Sequence, residues 1–403
     1  MAAELSIEAA GRPAREARGG RPVVLQVLPA LGQGGAERGC VDVATALVAA
    51  GGTALVASSG GPLERELLRG GVIHLPLPLD SKNPFVMRAN IGRLAAVIER
   101  YDVDVVHARS RAPAWSALAA ARRKRRPFLT TYHGTYNERG WLKRLYNSVM
   151  VRGDLVIAIS HHIAELIIAR YGIDPSRIRL IPRGIDLNFF DPVMVGPSRL
   201  IQLTHAWRLV DGMPVVMLPG RLTRWKGQSV LIEALARLGR KDMRCLLVGS
   251  EQRRGGSYRR ELEELIAARG LDGIVHIVDH CNDMPAAYML ADVVVSASTD
   301  AEAFGRVAVE AQAMGKPVIA SDHGGSRETV LEGATGWLVP PGDPAALAEA
   351  LAAALELDSA TREELAAVAI AHARANFSKD AMCERTLAVY DELVRRATGQ
   401  VAA

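Results

Sequence analysis

Short apolar runs alternate with amphipathic stretches along the whole chain. Runs rich in valine, isoleucine and leucine, and too short for a helix, predict buried β-strands. In the first half the predicted strands are 23–29, 53–59, 103–108, 127–133 and 154–160. In the second half they are 214–220, 243–249, 273–278, 292–298 and 317–321, and a short run at 336–340 follows.

Helical periodicity fills the intervals between these strands. The predicted helices include 36–50, 90–100, 112–123 and one that begins near Gly305 and ends near Gly315. Apolar strands separated by helices are typical of parallel sheets covered on both faces. Because the pattern occurs twice, with an irregular stretch near 186–197, we predict an α/β protein of two Rossmann-like domains and a linker.

The predicted boundaries follow from the same pattern. Residues 1–20 include acidic side chains and no apolar core, which favours a disordered tail over a secretory signal. The N-terminal domain is predicted at 21–190 and the C-terminal domain at 191–375. Residues 376–403 have their own helical pattern, and this helix either closes the second domain or crosses back to the first.

Composition is consistent with a globular protein. The chain has 403 residues, 49% of them hydrophobic, which fits two domains with ample cores. No apolar run reaches the roughly 18 residues that a transmembrane helix needs. The four cysteines are far apart and lack metal-binding spacing, which favours free thiols in a reducing cytoplasm. We therefore expect a cytoplasmic protein.

The charge is distributed unevenly. Residues 1–200 contain 27 Lys+Arg and 17 Asp+Glu, whereas residues 201–403 contain 22 and 27. The densest basic cluster is 122–126. A basic half favours an anionic substrate, an anionic membrane surface or nucleic acid, and a solvated basic helix end is the alternative. No aromatic side chains are interleaved with the cluster, which argues against nucleic acid.

In the first half, chemically capable residues follow predicted strands. A glycine-rich loop with Gly34 and Gly35 opens a helix, so its N–H groups are suited to an anion. The loop lacks a complete G-x-G-x-x-G, and a plain tight turn is the alternative. His133 closes strand 127–133, and the neighbouring strands end at His107, Arg109 and Ser160. A histidine alone is more often a core residue, but this grouping favours a binding site.

In the second half, Arg221 and Lys226 are five residues apart across a turn. A bidentate guanidinium and a compact ammonium together suit a diphosphate, although two surface bases are the alternative. Glu302 follows a predicted strand, and Glu310 lies on a helix face with Val307 and Met314. A carboxylate on an apolar face is costly unless it is hydrogen-bonded, and ligand hydroxyls are one way to satisfy it.

Several motifs together resemble the family 4 retaining glycosyltransferases of the bacterial envelope type. They are G-R-L-x3-K-G at 220–227, E-x7-E at 302–310, G-K-P-V-I-A-S-D at 315–322, T-Y-H-G at 131–134, V-I-A-I-S at 156–160 and I-P-R-G-I-D at 181–186. The resemblance covers nearly the whole chain after about residue 20. It implies the GT-B fold, in which the parallel sheets of two Rossmann-like domains face each other across a cleft.

The resemblance also implies roles for individual residues toward a nucleotide-sugar donor. Arg221 and Lys226 would hold its diphosphate, Glu302 its sugar and Glu310 its ribose. The main chain at Phe304 and Gly305 would contact sugar and phosphate.

Three further positions are assigned in the same way. His133 would lie beside the reacting sugar. Gly34 and Gly35 would approach the donor phosphate and the acceptor. Segment 279–285, which includes Met284, would contact the base through its backbone.

The implied reaction moves a hexose to an anionic glycan or glycolipid, such as lipopolysaccharide core or a lipid-linked saccharide. Fixed cations and a helix N-terminus would stabilise the departing diphosphate. No D-x-D pair is placed to hold a metal, so we expect metal independence and no cofactor. No carboxylate is placed as a nucleophile, which favours front-face attack. Weak contact with the inner face of the membrane is a further expectation.

Two other classes of protein stay open. An epimerase or hydrolase acting on nucleotide sugars would share the layout, but not the pairing of G-R-L-x3-K-G with E-x7-E. A non-catalytic basic module would not require the two glutamates. The chain departs from the family pattern at Arg183, where many members have asparagine, and in the basic loop 249–255.

Overall fold

The structure is a computed structural model that describes residues 21–32, 34–136, 140–209, 212–251 and 257–399. The described chain divides into two compact units. Unit 1 contains residues up to Ile159, then Ala164–Ile181 and the segment from Asp380; unit 2 contains Ser160–Ile163 and Pro182–Lys379. The predicted tail 1–20 and residues 252–255 of the basic loop lie outside the described residues.

Unit 1 contains a parallel sheet of seven strands in the order β3-β2-β1-β4-β5-β6-β7. Its strands are β1 (Val23–Val27), β2 (Thr53–Ser58), β3 (Ile73–Pro76), β4 (Val105–Ala108), β5 (Phe128–Tyr132), β6 (Leu155–Ala158) and β7 (Ile178–Leu180). Sequence patterning missed β3 and β7. Both are edge strands interrupted by a polar side chain, His74 in β3 and Arg179 in β7, so neither forms a continuous apolar run.

Unit 2 contains a parallel sheet of six strands in the order β10-β9-β8-β11-β12-β13. Its strands are β8 (Val215–Pro219), β9 (Arg244–Val248), β10 (Val275–Val278), β11 (Val293–Ser296), β12 (Val318–Ser321) and β13 (Gly336–Val339). Each of these was predicted within two residues at either end. The prediction of an α/β protein with two parallel sheets is confirmed.

Helices connect the strands in both units. In the first half they are α1 (Gly35–Ala49), α2 (Glu64–Arg69), α3 (Pro84–Arg100), α4 (Arg111–Arg123), α5 (Trp141–Asn147) and α6 (His161–Tyr171). In the second half they are α7 (Pro197–Trp207), α8 (Gln228–Leu238), α9 (Ser257–Ala268), α10 (Met284–Leu290), α11 (Arg306–Ala313), α12 (Ser326–Thr329), α13 (Pro344–Leu355), α14 (Ser359–Asn376) and α15 (Lys379–Ala397). None of these described helices is long and apolar enough to cross a membrane.

Helix α3 begins six residues before its predicted start. The Asn83 side chain accepts a hydrogen bond of 2.9 Å from the Phe85 N–H, and Pro84 occupies the first helical position. An asparagine cap followed by proline is a strong start for a helix, because the asparagine side chain accepts from a free N–H and proline has no N–H to leave unpaired. The cap, rather than the apolar periodicity that begins later, therefore sets this boundary.

Helix α15 completes the core of unit 1, although it is the last helix among the described residues. Val389, Tyr390 and Leu393 are at most 4% exposed and pack with side chains of the first sheet and of α1. Burying each such side chain stabilises a fold by about 1.5–3 kcal/mol. Arg179 at the sheet edge also donates to Glu392 at 2.9 Å. The C-terminal segment thus belongs to unit 1 in space.

Candidate active site

The strand order reverses once in each sheet, between β1 and β4 in unit 1 and between β8 and β11 in unit 2. In open α/β sheets, ligands bind beyond the carboxyl ends of the strands at such a reversal. In unit 2 the loops after β8 and β11 carry Arg221 and Glu302. The sequence-predicted donor residues therefore lie where the topology favours a ligand.

Glu302 belongs to a compact polar cluster in unit 2. Its carboxylate accepts a hydrogen bond of 2.6 Å from the Ser298 hydroxyl and forms an ion pair with the Lys226 ammonium. The Lys226 and Glu302 side chains are only 15% and 13% exposed, so both charges are largely removed from water. A partly buried pair of this kind fixes the position of the cation. Sequence reasoning missed Ser298, because a serine at the end of a strand is common.

Tight backbone packing holds the Lys226 loop against the sheet. Gly227, at φ 73°, follows a single 3₁₀ turn and caps α8. A Cβ at this position would lie 1.8 Å from the Ala297 carbonyl oxygen just beyond β11. The loop is therefore pressed onto the strand that leads to Ser298 and Glu302, and glycine is required at Gly227.

We expect Gly227→Ala to destabilise unit 2 by about 2–4 kcal/mol, because it adds a backbone clash to an unfavourable φ. Gly270→Ala is the matched control: Gly270 has φ 64°, but a Cβ added there would have open space around it to 4 Å. Denaturant unfolding of both variants checks the prediction. Equal losses of stability would mean that the close approach at Ala297 is unimportant.

A second loop fixes the backbone of Glu302 and Phe304. The Gly325 N–H donates to the Glu302 carbonyl at 2.8 Å. A Cβ on Gly325 would lie 2.5 Å from the Phe304 Cα, and Phe304 itself is buried against Phe377. Gly305, at φ 87°, then caps α11. Helix α11, with the N–H groups of its first turn, therefore begins at a rigid turn.

Glu310 is satisfied within the protein. One carboxylate oxygen accepts a hydrogen bond of 2.8 Å from the Tyr288 hydroxyl, and the other accepts one of 2.6 Å from Arg306 Nε. Burial raises the pKa of Tyr288 well above its usual range, and the Glu310 charge adds to this. Ligand hydroxyls are thus not needed to offset the burial of Glu310. Each oxygen has a further lone pair for a ligand.

Met284 is the first residue of α10. Asp283 caps this helix by accepting from the Ala286 N–H at 3.2 Å, and it also binds the Arg199 guanidinium through bonds of 2.8 and 2.5 Å. Hydrogen bonds from Arg199 lower the pKa of Asp283. This bidentate pair between α7 and α10 fixes the backbone before Met284, where the nucleotide base of the donor was predicted to bind. No sequence motif pointed to Arg199.

Arg221 differs from Lys226 in its environment. Its carbonyl accepts from the buried Gln228 amide at 2.9 Å, which anchors the backbone. Its side chain is exposed, and among the described residues the guanidinium makes no ion pair. The two predicted cations are therefore near each other along one loop, but only Lys226 has a carboxylate partner within the described part of the chain.

The predicted residues of unit 1 divide into two groups. His107 and Arg109 belong to the core: His107 lies 2.7 Å from both the Tyr390 and Thr131 hydroxyls, and Arg109 donates to Gln26. Burial lowers the pKa of His107 well below its usual range, and the charges of Arg109 and His133 lower it further. The expectation that His107 and Arg109 line a binding site is therefore replaced by a buried structural network.

The other group lies at the carboxyl edge of the first sheet. His133 is half-buried directly after β5. Gly34 caps α1 with φ −74°, and a Cβ there would meet only the flexible Glu37 side chain, so this position has no steric need for glycine. Gly35 is the first residue of α1.

A cavity of about 440 Å³ lies in unit 1 beside β1 and β4. Among the described residues, Lys82, Arg111 and Lys143 line it together with a single acid, Asp80. Arg111 donates to Asn147 at 2.8 Å and lies over the Tyr136 ring at 4.1 Å. Sequence reasoning missed these three cations, because they come from separate loops and helices. The excess of basic residues in the first half was the only indication of them.

Comparisons with known proteins identify the family. The profile "Glycosyltransferase Family 4" matches residues 33–189, and "Glycosyl transferases group 1" matches residues 204–374. The crystal structure of a glycosyltransferase from Rickettsia africae is 37% identical, with a TM-score of 0.86 over 93% of this chain and 99% of that one. The chain belongs to the family 4 glycosyltransferases. Its structural neighbours confirm the predicted GT-B fold.

Two further relatives carry informative names. Anabaena HepE, solved in complex with UDP and glucose, is 26% identical, with a TM-score of 0.81 over 92% of this chain and all of that one. A D-inositol 3-phosphate glycosyltransferase of Xylanimonas cellulosilytica is 35% identical over 251 residues, which is 62% of this chain. The chain spans 59% of the length of that curated relative and 53% of a second one, from Geodermatophilus obscurus.

Proposed function

We propose that this protein transfers a hexose from a nucleoside-diphosphate sugar to a phosphate-bearing acceptor. The observation that carries the proposal is the Lys226–Glu302–Ser298 cluster, with the exposed Arg221 on the same loop, at the strand reversal of unit 2. A partly buried, fixed cation suits a diphosphate when the same loop also carries a guanidinium that forms no ion pair among the described residues. The UDP complexes of Anabaena HepE support a nucleotide-sugar donor.

In this proposal the donor lies along the carboxyl edge of the second sheet. Lys226 and Arg221 bind the diphosphate, while Glu302 and the main chain at Phe304 and Gly305 bind the sugar. Glu310 accepts from the ribose hydroxyls, and the fixed backbone before Met284 contacts the base. The order of these groups follows the loops after β8, β10 and β11, which lie on one edge of the sheet.

We further propose a retaining, metal-independent transfer by front-face attack. When the sugar leaves, negative charge grows on the β-phosphate, where Lys226 and the N-terminus of α11 are suited to stabilise it. Within the described ranges, no three His, Cys, Asp or Glu side chains are grouped to hold a metal ion. His133 and the pair Gly34 and Gly35 are assigned to the reacting sugar and the acceptor by family resemblance.

The acceptor proposal rests on the cavity of unit 1. Its three cations and one acid, counted over the described residues, favour an acceptor with a phosphate group. The D-inositol 3-phosphate glycosyltransferases, at about 35% identity, support a small phosphorylated alcohol. A lipopolysaccharide-core or lipid-linked acceptor, weak contact with the inner membrane surface and a cytoplasmic location stay predictions. The lipopolysaccharide enzymes WaaG and WaaB, at 18% and 17% identity, share the fold alone.

A two-step assay tests the function. A thermal-shift panel of UDP-, GDP- and ADP-sugars first identifies the donor, because a ligand that binds only the folded state raises Tm. That donor is then incubated alone, with an inositol phosphate, and with inositol. We expect glycoside formation only with the phosphorylated acceptor. Epimerised or hydrolysed sugar without acceptor would favour the alternative enzyme class, and equal use of inositol would refute the phosphate requirement.

A further inference from the structure

A second basic cavity lies in unit 1, at the opposite edge of its sheet. It has a volume of about 680 Å³, and its wall includes Phe128, the first residue of β5, and Asp154, which directly precedes β6. The ends of α4 and α15 complete the wall. Since β5 spans five residues, about 16 Å of strand separates this cavity from the carboxyl edge. It is therefore distinct from the proposed acceptor cavity.

Arginine dominates the lining of this cavity. Over the described residues the arginines are Arg122, Arg125, Arg126, Arg152, Arg177 and Arg396. Asp154 is the single acid in this described lining, and its carboxylate accepts a hydrogen bond of 2.7 Å from the Phe128 N–H. The acid is thus already engaged by the backbone.

The charges of these arginines are only partly neutralised by other groups in the described protein. Arg126 pairs with Asp102 and Arg396 pairs with Glu392, each at 2.6 Å. Arg177 donates to backbone carbonyls. Among the described residues, Arg122, Arg125 and Arg152 form no ion pair, and Arg152 lies over the Trp115 ring at 5.0 Å. Several like charges converge on one concavity with few compensating carboxylates.

The helix dipole does not fully explain this arrangement. Cations at the end of α4 are favoured by the negative end of that helix, which accounts for Arg122. Arg396 is placed in the same way in the last turn of α15, but Arg152 and Arg177 come from two segments outside the α-helices, so the dipole explains only part of the set. Arg125 has φ 53°, in the left-handed conformation that follows α4 and that glycine normally occupies. An arginine in this position extends the basic wall despite an unfavourable backbone.

We propose that this arginine cavity binds a small ligand with several phosphate charges, at a site separate from the transferase chemistry. Guanidinium groups from several directions match the oxygens of a polyphosphate or of a phosphorylated metabolite. The concave shape and limited volume favour a discrete ligand over a flat membrane surface. The inference does not depend on the proposed donor or acceptor.

The test is a calorimetric titration of the full chain with inorganic tripolyphosphate at fixed ionic strength. We expect Arg125→Gly combined with Arg152→Gln to lower the affinity at least tenfold. Glycine suits the backbone at Arg125, so the variant is expected to keep its Tm. The control combines Arg65→Gln with Arg69→Gln, which removes the same charge from exposed positions on α2, and its affinity is expected to change less than twofold.

Two results would overturn the proposal. One is an equal change, or no change, in the cavity variant and in the control, which would indicate a general electrostatic effect or binding elsewhere. The other concerns vesicles of anionic phosphatidylglycerol and neutral phosphatidylcholine. If the anionic vesicles bind through the same arginines while tripolyphosphate does not, the cavity is part of a membrane-contact surface instead.

Discussion

Lys226→Ala is expected to lower kcat about 10²–10³-fold, the range seen when one preorganised group that stabilises transition-state charge is removed. Lys226 is fixed by Glu302, and its stem runs beside Gly220, so it needs no rearrangement to meet the leaving diphosphate. Charge on the β-phosphate is greater in the transition state than in the bound donor. The change should therefore affect kcat more than the KM for the donor.

Steady-state kinetics with the identified donor check this expectation. Lys241→Ala, which removes an exposed lysine of the same unit, serves as the control and is expected to leave both constants unchanged. Lys226→Arg keeps the charge and should recover part of the rate. A purely structural role would predict a loss of stability without the selective loss of kcat, and unchanged kinetics would overturn the assignment.

Glu310→Ala is expected to weaken nucleotide binding about 10- to 100-fold. The variant loses the acceptors proposed for the ribose, and hydrogen bonds to a charged group contribute about 1.5–3 kcal/mol each. It also leaves the fully buried Tyr288 hydroxyl without its partner. We therefore expect weaker binding together with some loss of stability.

Glu310→Gln separates these two effects. The amide oxygen can still accept from Tyr288, so the variant should keep most of its stability while binding of the nucleotide stays weaker than in the wild type. Glu349→Ala, at an exposed position on α13, is the control for a lost charge. Isothermal titration with the free nucleotide gives the affinity, and wild-type affinity in both Glu310 variants would refute the ribose contact.

The strands were predictable where burial on both faces makes them apolar throughout. The inner strands β8, β11 and β12 of unit 2 are buried throughout. Its edge strands β10 and β13 are partly exposed but lie in mostly apolar runs, whereas the edge strands β3 and β7 of unit 1 do not. The placement of Lys226 and Glu302 just beyond strands of the second sheet was predictable, because each follows a continuous apolar run, whereas their roles toward a donor stay predictions. Local sequence alone is enough to recognise residues that directly follow an apolar strand.

The partners of those residues were not predictable. Tyr288 is 22 residues from Glu310, and Arg199 is 84 residues from Asp283, so each pair exists only because the folded helices bring it together. His107 was misread for the same reason: its partner Tyr390 is 283 residues away. Periodicity describes which face of an element is buried, but not which distant side chain faces it there.

The position of α15 has a consequence for how the protein is made. Its core residues Val389, Tyr390 and Leu393 follow all of unit 2 along the chain, yet they fill the core of the first unit. The first unit therefore cannot complete its core until α15 has been synthesised, and by then all of unit 2 has been synthesised. Until then, the part of the unit 1 core that α15 covers is an exposed apolar surface. A truncation before α15 would leave this surface exposed permanently.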